Sequence, residues 1–299
     1  MVYRHLDQGR TSFQTIKVEP RASGEKLSTK FHFESKTRAI FSGDSAGAFM
    51  YANYKGRHDL WQQLLEEEPY DFDSPTLDVA SGSGVSLMKV CAQKRARKDK
   101  NQLVCNVYAI DNYSRDKERK SRMKKIINNI RCENFVDLVT LNSADLTQLP
   151  YESDVFSLVT SPWAFKSYDK VTQRQILREM ARVCKPGGYI IITDLKLSSK
   201  GPLEQWIQDM GWEEVNKKGA GPCGWFGYWS TECYKFQKPY DDDDRHSVIT
   251  STTTSTIPPS LVYDTDASSS LFRGDTDRSS LFTESDADTI HVSISNRKA

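Results

Sequence analysis

Between Thr76 and Asp194 the chain alternates short apolar runs with longer amphipathic or charged stretches, and that alternation limits the folds open to it. The pattern predicts strands over Thr76–Ala80, Leu103–Ile110, Val136–Leu141, Val155–Thr160 and Tyr189–Asp194. Between them it predicts helices over Val85–Lys98, Arg115–Asn129 and Val171–Val183, with a turn at Lys185–Gly188. Apolar strands of this length, separated by helices of ten to fifteen residues, form an α/β fold: a mostly parallel sheet with helices on both faces. Further on, Leu203–Met210 reads as a helix, Trp212–Asn216 as a sixth strand and Thr231–Gln237 as a seventh.

The flanks read differently. Residues 1–48 are polar and irregular, and are expected to form a flexible arm or lid. In the stretch FMYANYKGRHDLWQQLLEE, Leu60, Trp61, Leu64 and Leu65 recur at helical spacing. Pro69, Asp71, Ser74 and Pro75 then mark a loop. The main domain is expected over residues 49–239. From residue 240 the chain is acidic and rich in Ser and Thr, and such a stretch buries too little apolar surface to offset its ordering entropy. From Asp241 onward 11 acidic and 5 basic residues give a net charge of −6, so the formal +1 of the whole chain hides a basic body. Ser269-Ser270-Leu271-Phe272 recurs as Ser279-Ser280-Leu281-Phe282, which suits a phosphorylated or partner-binding segment or chance in a Ser-rich tail.

No apolar run approaches 18 residues and the first fourteen hold no apolar core, so neither a membrane span nor a secretory signal is expected. The six cysteines, Cys91, Cys105, Cys132, Cys184, Cys223 and Cys233, show no close zinc spacing and suit a reducing compartment. No metal site is expected. The expected location is cytoplasmic, with the nucleus equally compatible.

The stretch Thr76-Leu77-Asp78-Val79-Ala80-Ser81-Gly82-Ser83-Gly84 joins a strand to a helix. Glycines at 82 and 84 allow a sharp turn and close approach of a ligand to the backbone. A carboxylate as early as Asp78 would repel a pyrophosphate but attract the ammonium group of an amino-acid cofactor. Asp111 ends the second strand, 29 residues beyond Gly82, where an acid accepts hydrogen bonds from ribose hydroxyls. Asp145 follows the third strand, within reach of an adenine amine. Each acid alone is equally an ordinary cap or turn residue, but together they mark the sheet edge where open α/β folds bind ligands.

These motifs resemble the class I S-adenosylmethionine-dependent methyltransferases, especially those acting on small molecules, over roughly residues 50–238. The resemblance implies a Rossmann-like sheet of seven strands whose last strand is antiparallel. It implies that Asp78, Ala80, Gly82 and Gly84 contact the methionine part of the cofactor, that Asp111 holds the ribose, and that Asn112, Asp145 and Leu146 lie at the adenine. Ser161, after the fourth strand, stands where the family faces the methyl group. Ile176 through Cys184-Lys185-Pro186-Gly187-Gly188 matches the family's helix and turn before the fifth strand most specifically. Ala80 departs from the pattern, which usually has glycine there; alanine is small and compatible with strand dihedrals.

Displacement at a sulfonium methyl needs alignment more than a base, so the lack of a triad is no argument against activity. If a base assists, His58 is the histidine best placed, ahead of the glycine loop; His5, His246 and His291 fall in segments not expected to pack. Tyr54, His58, Trp163, Phe165, Trp225, Tyr228 and Trp229 are candidate walls for the acceptor, since aromatics bind planar or apolar molecules and the sulfonium itself. An alternative reading makes the chain an RNA or protein methyltransferase, because residues 89–131 hold 14 basic and 4 acidic residues. A further alternative is a catalytically silent protein that binds the cofactor and meets a protein partner through its acidic tail.

Overall fold

The computed structural model describes Val2, residues 13–20, 44–113, 117–195, 202–212, 215–226 and 229–240. Most of the expected arm, the acidic tail from Asp241, His5, His246, His291, Tyr228 and the Ser-Ser-Leu-Phe repeat therefore lie outside the described residues.

In chain order the elements are β1 (Gln14–Ile16), α1 (Asp44–Tyr51), α2 (Arg57–Glu66), β2 (Thr76–Val79), α3 (Val85–Lys98), β3 (Val107–Asp111) and α4 (Lys117–Cys132). There follow β4 (Val139–Ser143), β5 (Phe156–Pro162), α5 (Lys170–Val183), β6 (Cys184–Leu195), α6 (Pro202–Asp209), β7 (Val215–Gly219), β8 (Trp225–Phe226) and β9 (Trp229–Gln237). The strands lie in the order β1-β4-β3-β2-β5-β6-β9-β7, with β8 attached to β9. β4, β3, β2, β5 and β6 pair in parallel, whereas β9 runs antiparallel to both β6 and β7. This is the Rossmann-like α/β sheet that the sequence implies.

The differences have local causes. Among the described residues nine strands are present rather than seven. Gln14–Ile16, inside the segment read as an irregular arm, pairs antiparallel with β4 and covers the sheet edge. β8 is a two-residue strand paired with the start of β9. Leu103 belongs to no strand and is 94% exposed, so β3 starts only at Val107. Lys185–Gly188 is a bulge inside β6: Phe156 pairs with Cys184 and Leu158 with Tyr189, so the residues between them have no partner on β5, while Gly187 and Gly188 bond the Lys238 backbone instead.

Burial on both sheet faces explains the unbroken apolar runs. In β6, Ile190 and Ile192 face the cluster containing Ile176, Leu177 and Met180 of α5 and Ile207 of α6. Ile191 faces the opposite cluster, with Leu60, Trp61 and Leu64 of α2, Leu87 of α3 and Ile126 of α4. Adjacent strand residues thus point to opposite cores. Among the described residues no helix is long and apolar enough to cross a membrane.

Candidate functional site

At the carboxyl end of β2 the chain turns through Ala80–Gly84 into α3. Three residues there have positive φ: Ala80 at 57°, Gly82 at 54° and Gly84 at 89°. A side chain at Gly84 would be strained by its dihedral, and its Cβ would lie 3.1 Å from Ile126 Cγ1. The turn is held from below by the Ser81 amide donating to the Ile110 carbonyl at 3.2 Å, and from the side by Asn129 Nδ2 donating to the Ser83 carbonyl at 2.9 Å. Ala80 therefore occupies a left-handed position, not the strand dihedrals expected of it. Relief of about 1–2 kcal/mol of strain in Ala80→Gly is offset by the lost buried methyl and glycine's extra unfolded-state entropy, of similar combined size. Ala80→Gly should thus be near neutral in urea denaturation, while Ala80→Val, β-branched at positive φ, should lower the midpoint clearly.

A cleft of about 530 Å³, mouth included, opens above this turn. Its floor is Ala80–Ser83 with Val85 and Asp111; Pro162, Trp163, Ala164, Ser167 and Tyr168 form one wall, and Arg57, Arg119 and Arg122 complete it. Arg119 and Arg122, three apart on α4, share a helix face. They were read from sequence as part of an outer basic surface; the cleft is where they point.

Asp111 is buried, with Oδ2 accepting from the Gly82 amide at 3.1 Å and Oδ1 from the Asn112 amide at 2.7 Å. Arg119 Nη1 lies 3.4 Å from Oδ1 and also donates to the Tyr168 hydroxyl at 3.3 Å. Burial pushes the Asp111 carboxyl above its ordinary value, against the pull of Arg119 and the two amides.

The other sequence candidates divide. Ala80, Gly82, Asp111 and Trp163 line the cleft. Asp78 does not: it lies fully buried below the turn, Oδ1 accepting from Ser86 Oγ at 2.5 Å and Thr160 Oγ1 at 2.6 Å, and burial pushes it up to about 6. It ties α3 to β5 where an ammonium partner had been expected. Gly84 sets the start of α3, and Ser161 is buried in β5. Asp145 is exposed and accepts from the Thr147 amide and hydroxyl, at 2.9 and 2.8 Å, as a local turn residue. Leu146, expected at the adenine, and Phe165, expected as a wall, are both core residues, Asn112 is half-buried outside the cleft lining, and Tyr54 is 53% exposed on the π-helical turn Ala52–Gly56. Trp225 and Trp229 fall in β8 and β9.

Trp163 is the most constrained of the wall residues. Its φ is 45°, its amide donates to the Thr193 carbonyl at 2.6 Å, and its Nε1 donates to Thr231 Oγ1 at 3.0 Å. The Arg57 guanidinium sits 4.9 Å from its ring centroid. Strained non-glycine backbone of this kind concentrates at ligand sites. Buried Asp194, pushed up to about 6 by desolvation, accepts from the Lys166 and Leu195 amides and pins the following turn.

His58 is half-buried and not on the cleft wall. Burial, then Lys89 and Arg57, lower it to about 4, so it is neutral at pH 7 and a weak base. As pH falls from about 6.5 to 4 the unfolded chain takes up this proton first, so stability is lost across that window. His58→Gln should remove that loss, on the order of 2–3 kcal/mol, measured as the difference between the two proteins' urea midpoints at pH 7 and pH 4.5. Asp78 and Asp194 act in the opposite sense over the same range, which is why the difference is the readout.

Residues 77–192 match the family model described as a methyltransferase domain. Over these residues the chain is similar to the class I S-adenosylmethionine-dependent methyltransferases. Among curated relatives, methyltransferase GfsG of Streptomyces halstedii is 40% identical over 67 residues, 22% of this chain and 23% of that protein. Sarcosine/dimethylglycine N-methyltransferase of Halorhodospira halochloris is 33% identical over 166 residues, 48% of this chain and 53% of the other. (+)-O-methylkolavelool synthase of Herpetosiphon aurantiacus is 23% identical over 155 residues, 51% and 48% of the two chains. The chain thus spans about half or less of the length of these relatives. The matched segment carries the glycine turn, Asp111, Trp163 and all five parallel strands to Ile192.

The family's most specific string proves to be structural. Glu179 Oε2 accepts from the Leu149 amide at 2.8 Å, and Arg182 donates to the Leu149 and Tyr151 carbonyls at 3.1 and 2.9 Å. Lys185 Nζ reaches Asp71 at 2.8 Å. The string clamps the β4–β5 connection and does not touch the cleft. Sequence reasoning missed Arg57, Arg119, Arg122 and Ser83 as cleft residues; the i, i+3 spacing of the two α4 arginines behind a strand-end acid was the available signal.

Proposed function

We propose that the chain transfers the methyl group of S-adenosylmethionine to a small organic acceptor by in-line displacement, within a domain spanning about residues 49–239. The observation that carries this reading is the cleft itself, which opens where β2, β3 and β5 end over a glycine turn tied to Asp111. The residues present fit the cofactor. A carboxylate offers about four acceptor sites; the Gly82 and Asn112 amides and Arg119 use three at Asp111, and the weak 3.4 Å contact with Arg119 is exchangeable for a ribose hydroxyl. The three arginines supply partners for its carboxylate.

When bound, the cofactor supplies an electrophilic methyl on a sulfonium. The chain's own part is placement: Ser81–Ser83 present backbone at the floor, Asp111 orients the ribose, and Trp163 fixes the wall and excludes water. Asp78, Gly84 and Ser161 act through the turn's shape. No base is assigned, since His58 lies off the wall.

A small acceptor is supported by the relatives, named for sarcosine and dimethylglycine and for a kolavelool ether. The basic segment gives the nucleic-acid alternative little support: Lys94 is fully buried on the Phe72 and Ser74 carbonyls, while Arg95 and Lys98 pair with Asp137 and Arg97 with Asp73. The test is titration calorimetry with S-adenosylmethionine, followed by transfer of labelled methyl into fractionated small-molecule extract. Absence of binding by intact protein would sink the reading. Label appearing only in RNA or protein would replace the acceptor class.

A further inference from the structure

Asp111 belongs to the floor of the cleft and Tyr168 to the wall after β5, and Arg119 touches both. A single nitrogen, Nη1, makes the two contacts, 3.4 Å to Asp111 Oδ1 and 3.3 Å to the Tyr168 hydroxyl. The guanidinium, reached from the first turn of α4, therefore spans the cleft from floor to wall. Its side chain is 12% exposed.

Both ends of this span are held without it. Asp111 accepts the Gly82 and Asn112 amides at 3.1 and 2.7 Å, and the Gly82 carbonyl accepts the Tyr113 hydroxyl at 3.2 Å. Tyr168 is set by its backbone: its amide donates to the Phe165 carbonyl at 3.0 Å, and its carbonyl accepts from Gln173 Nε2 at 2.8 Å. The contacts of Arg119 are by contrast long, since charge-assisted N–H···O bonds run at about 2.7–2.9 Å. Of the three partners of Asp111, Arg119 is the one that leaves most readily. A carboxylate offers about four acceptor sites. Among the described residues Asn112 and Arg119 take those of Oδ1, and Gly82 takes one at Oδ2. One hydroxyl can be accepted with the guanidinium in place, whereas a vicinal diol donating twice needs its site as well.

We infer that Arg119 is a strap across the cleft, a positioning residue that acts on the cofactor through Asp111 and opens when a ribose diol arrives. The inference rests on the methyl-transfer reading above, because that reading supplies the ribose. The first hydroxyl takes the remaining site at Oδ2; the second displaces Nη1 from Oδ1, and the guanidinium keeps the Tyr168 hydroxyl. Part of the binding energy of the diol is spent on this exchange, so the strap holds affinity for the nucleoside portion below what the cleft could give. A sugar with one hydroxyl fewer leaves the strap in place.

The experiment is ligand-observed NMR titration of the full chain with adenosine and with 2′-deoxyadenosine, comparing the parent with Arg119→Met. Methionine keeps an unbranched stem and a similar helix propensity while removing the guanidinium. The variant should bind adenosine about three- to tenfold more tightly than the parent, the size of one weak charged contact no longer displaced. Its affinity for 2′-deoxyadenosine should stay within about twofold of the parent's. Both nucleosides are uncharged, so loss of a nearby cation in itself moves them alike. Arg119→Leu should behave as Arg119→Met does, and tighter binding also shows that the variants are folded. A residue that merely braced the fold would give weaker adenosine binding when removed. That result, unchanged adenosine affinity, or an equal gain for both nucleosides would overturn the strap and leave the cofactor reading standing. If the parent and both variants bind neither nucleoside nor S-adenosylhomocysteine, the cofactor reading falls and the strap with it.

Discussion

Asp111→Asn should weaken S-adenosylhomocysteine binding by roughly ten- to a hundredfold, the equivalent of about 1.5–3 kcal/mol for hydrogen bonds to a charged acceptor. The carboxylate is buried at the end of β3, and its two oxygens already organise the site by accepting from the Gly82 and Asn112 amides. An amide side chain keeps the shape but offers one acceptor oxygen instead of two, and its NH2 would face either a backbone N–H or Arg119. Burial has raised the Asp111 carboxyl, so the folded protein gives up hydration to keep a charge there. Removing that charge relieves desolvation, and the melting temperature should consequently change little while binding falls. Calorimetry and thermal melting on the same preparation separate the two effects. Unchanged affinity would remove Asp111 from the ribose role; a large loss of melting temperature would make it a fold residue.

Much of this fold was legible because a sheet buried on both faces needs nearly continuous apolar strands, and β2, β5 and β6 have them. The strand at Leu103 misled because Leu-Val-Cys precedes the true strand and looks equally apolar, yet Leu103 is exposed. β1 was illegible: an edge strand of three residues has one neighbour and needs no apolar pattern. The acids at strand ends were found by position, but position does not fix side-chain direction. Asp78 and Asp111 both sit at carboxyl ends of strands, and only Asp111 reaches the cleft. Asp145 turns back onto its own Thr147. Arginines 119 and 122 were hidden by their company, since a helix carrying so many cations reads as solvated all round until its inward face is known. Ala80 was judged by size when its dihedral was what mattered.

Arg182→Ala should lower stability by about 2–3 kcal/mol, which for a domain of this size is a fall of roughly 5–10 °C in melting temperature. The guanidinium gathers the connection between β4 and β5 onto α5. It donates to the Leu149 carbonyl at 3.1 Å, the Tyr151 carbonyl at 2.9 Å and Ser153 Oγ at 3.3 Å, and holds both oxygens of Glu179 at 2.8 and 2.7 Å. Glu179 in turn accepts the Leu149 amide. Loss of Arg182 leaves two carbonyls and a partly buried carboxylate without their shared partner, which costs more than an exposed ion pair of the same length would. Tyr151 adds to the effect, because its ring packs edge-on against Tyr108 and Phe156 in the core and its hydroxyl accepts from Asn142 Nδ2. Glu179→Gln keeps the amide contact and should cost less, and the double variant should cost clearly less than the sum, as expected of one network. Denaturant midpoints of the four proteins give the coupling directly. Additive losses would mean that Arg182 and Glu179 act separately and that core packing alone holds the connection. Cofactor affinity should move far less than stability in all four, since this network lies away from the cleft walls.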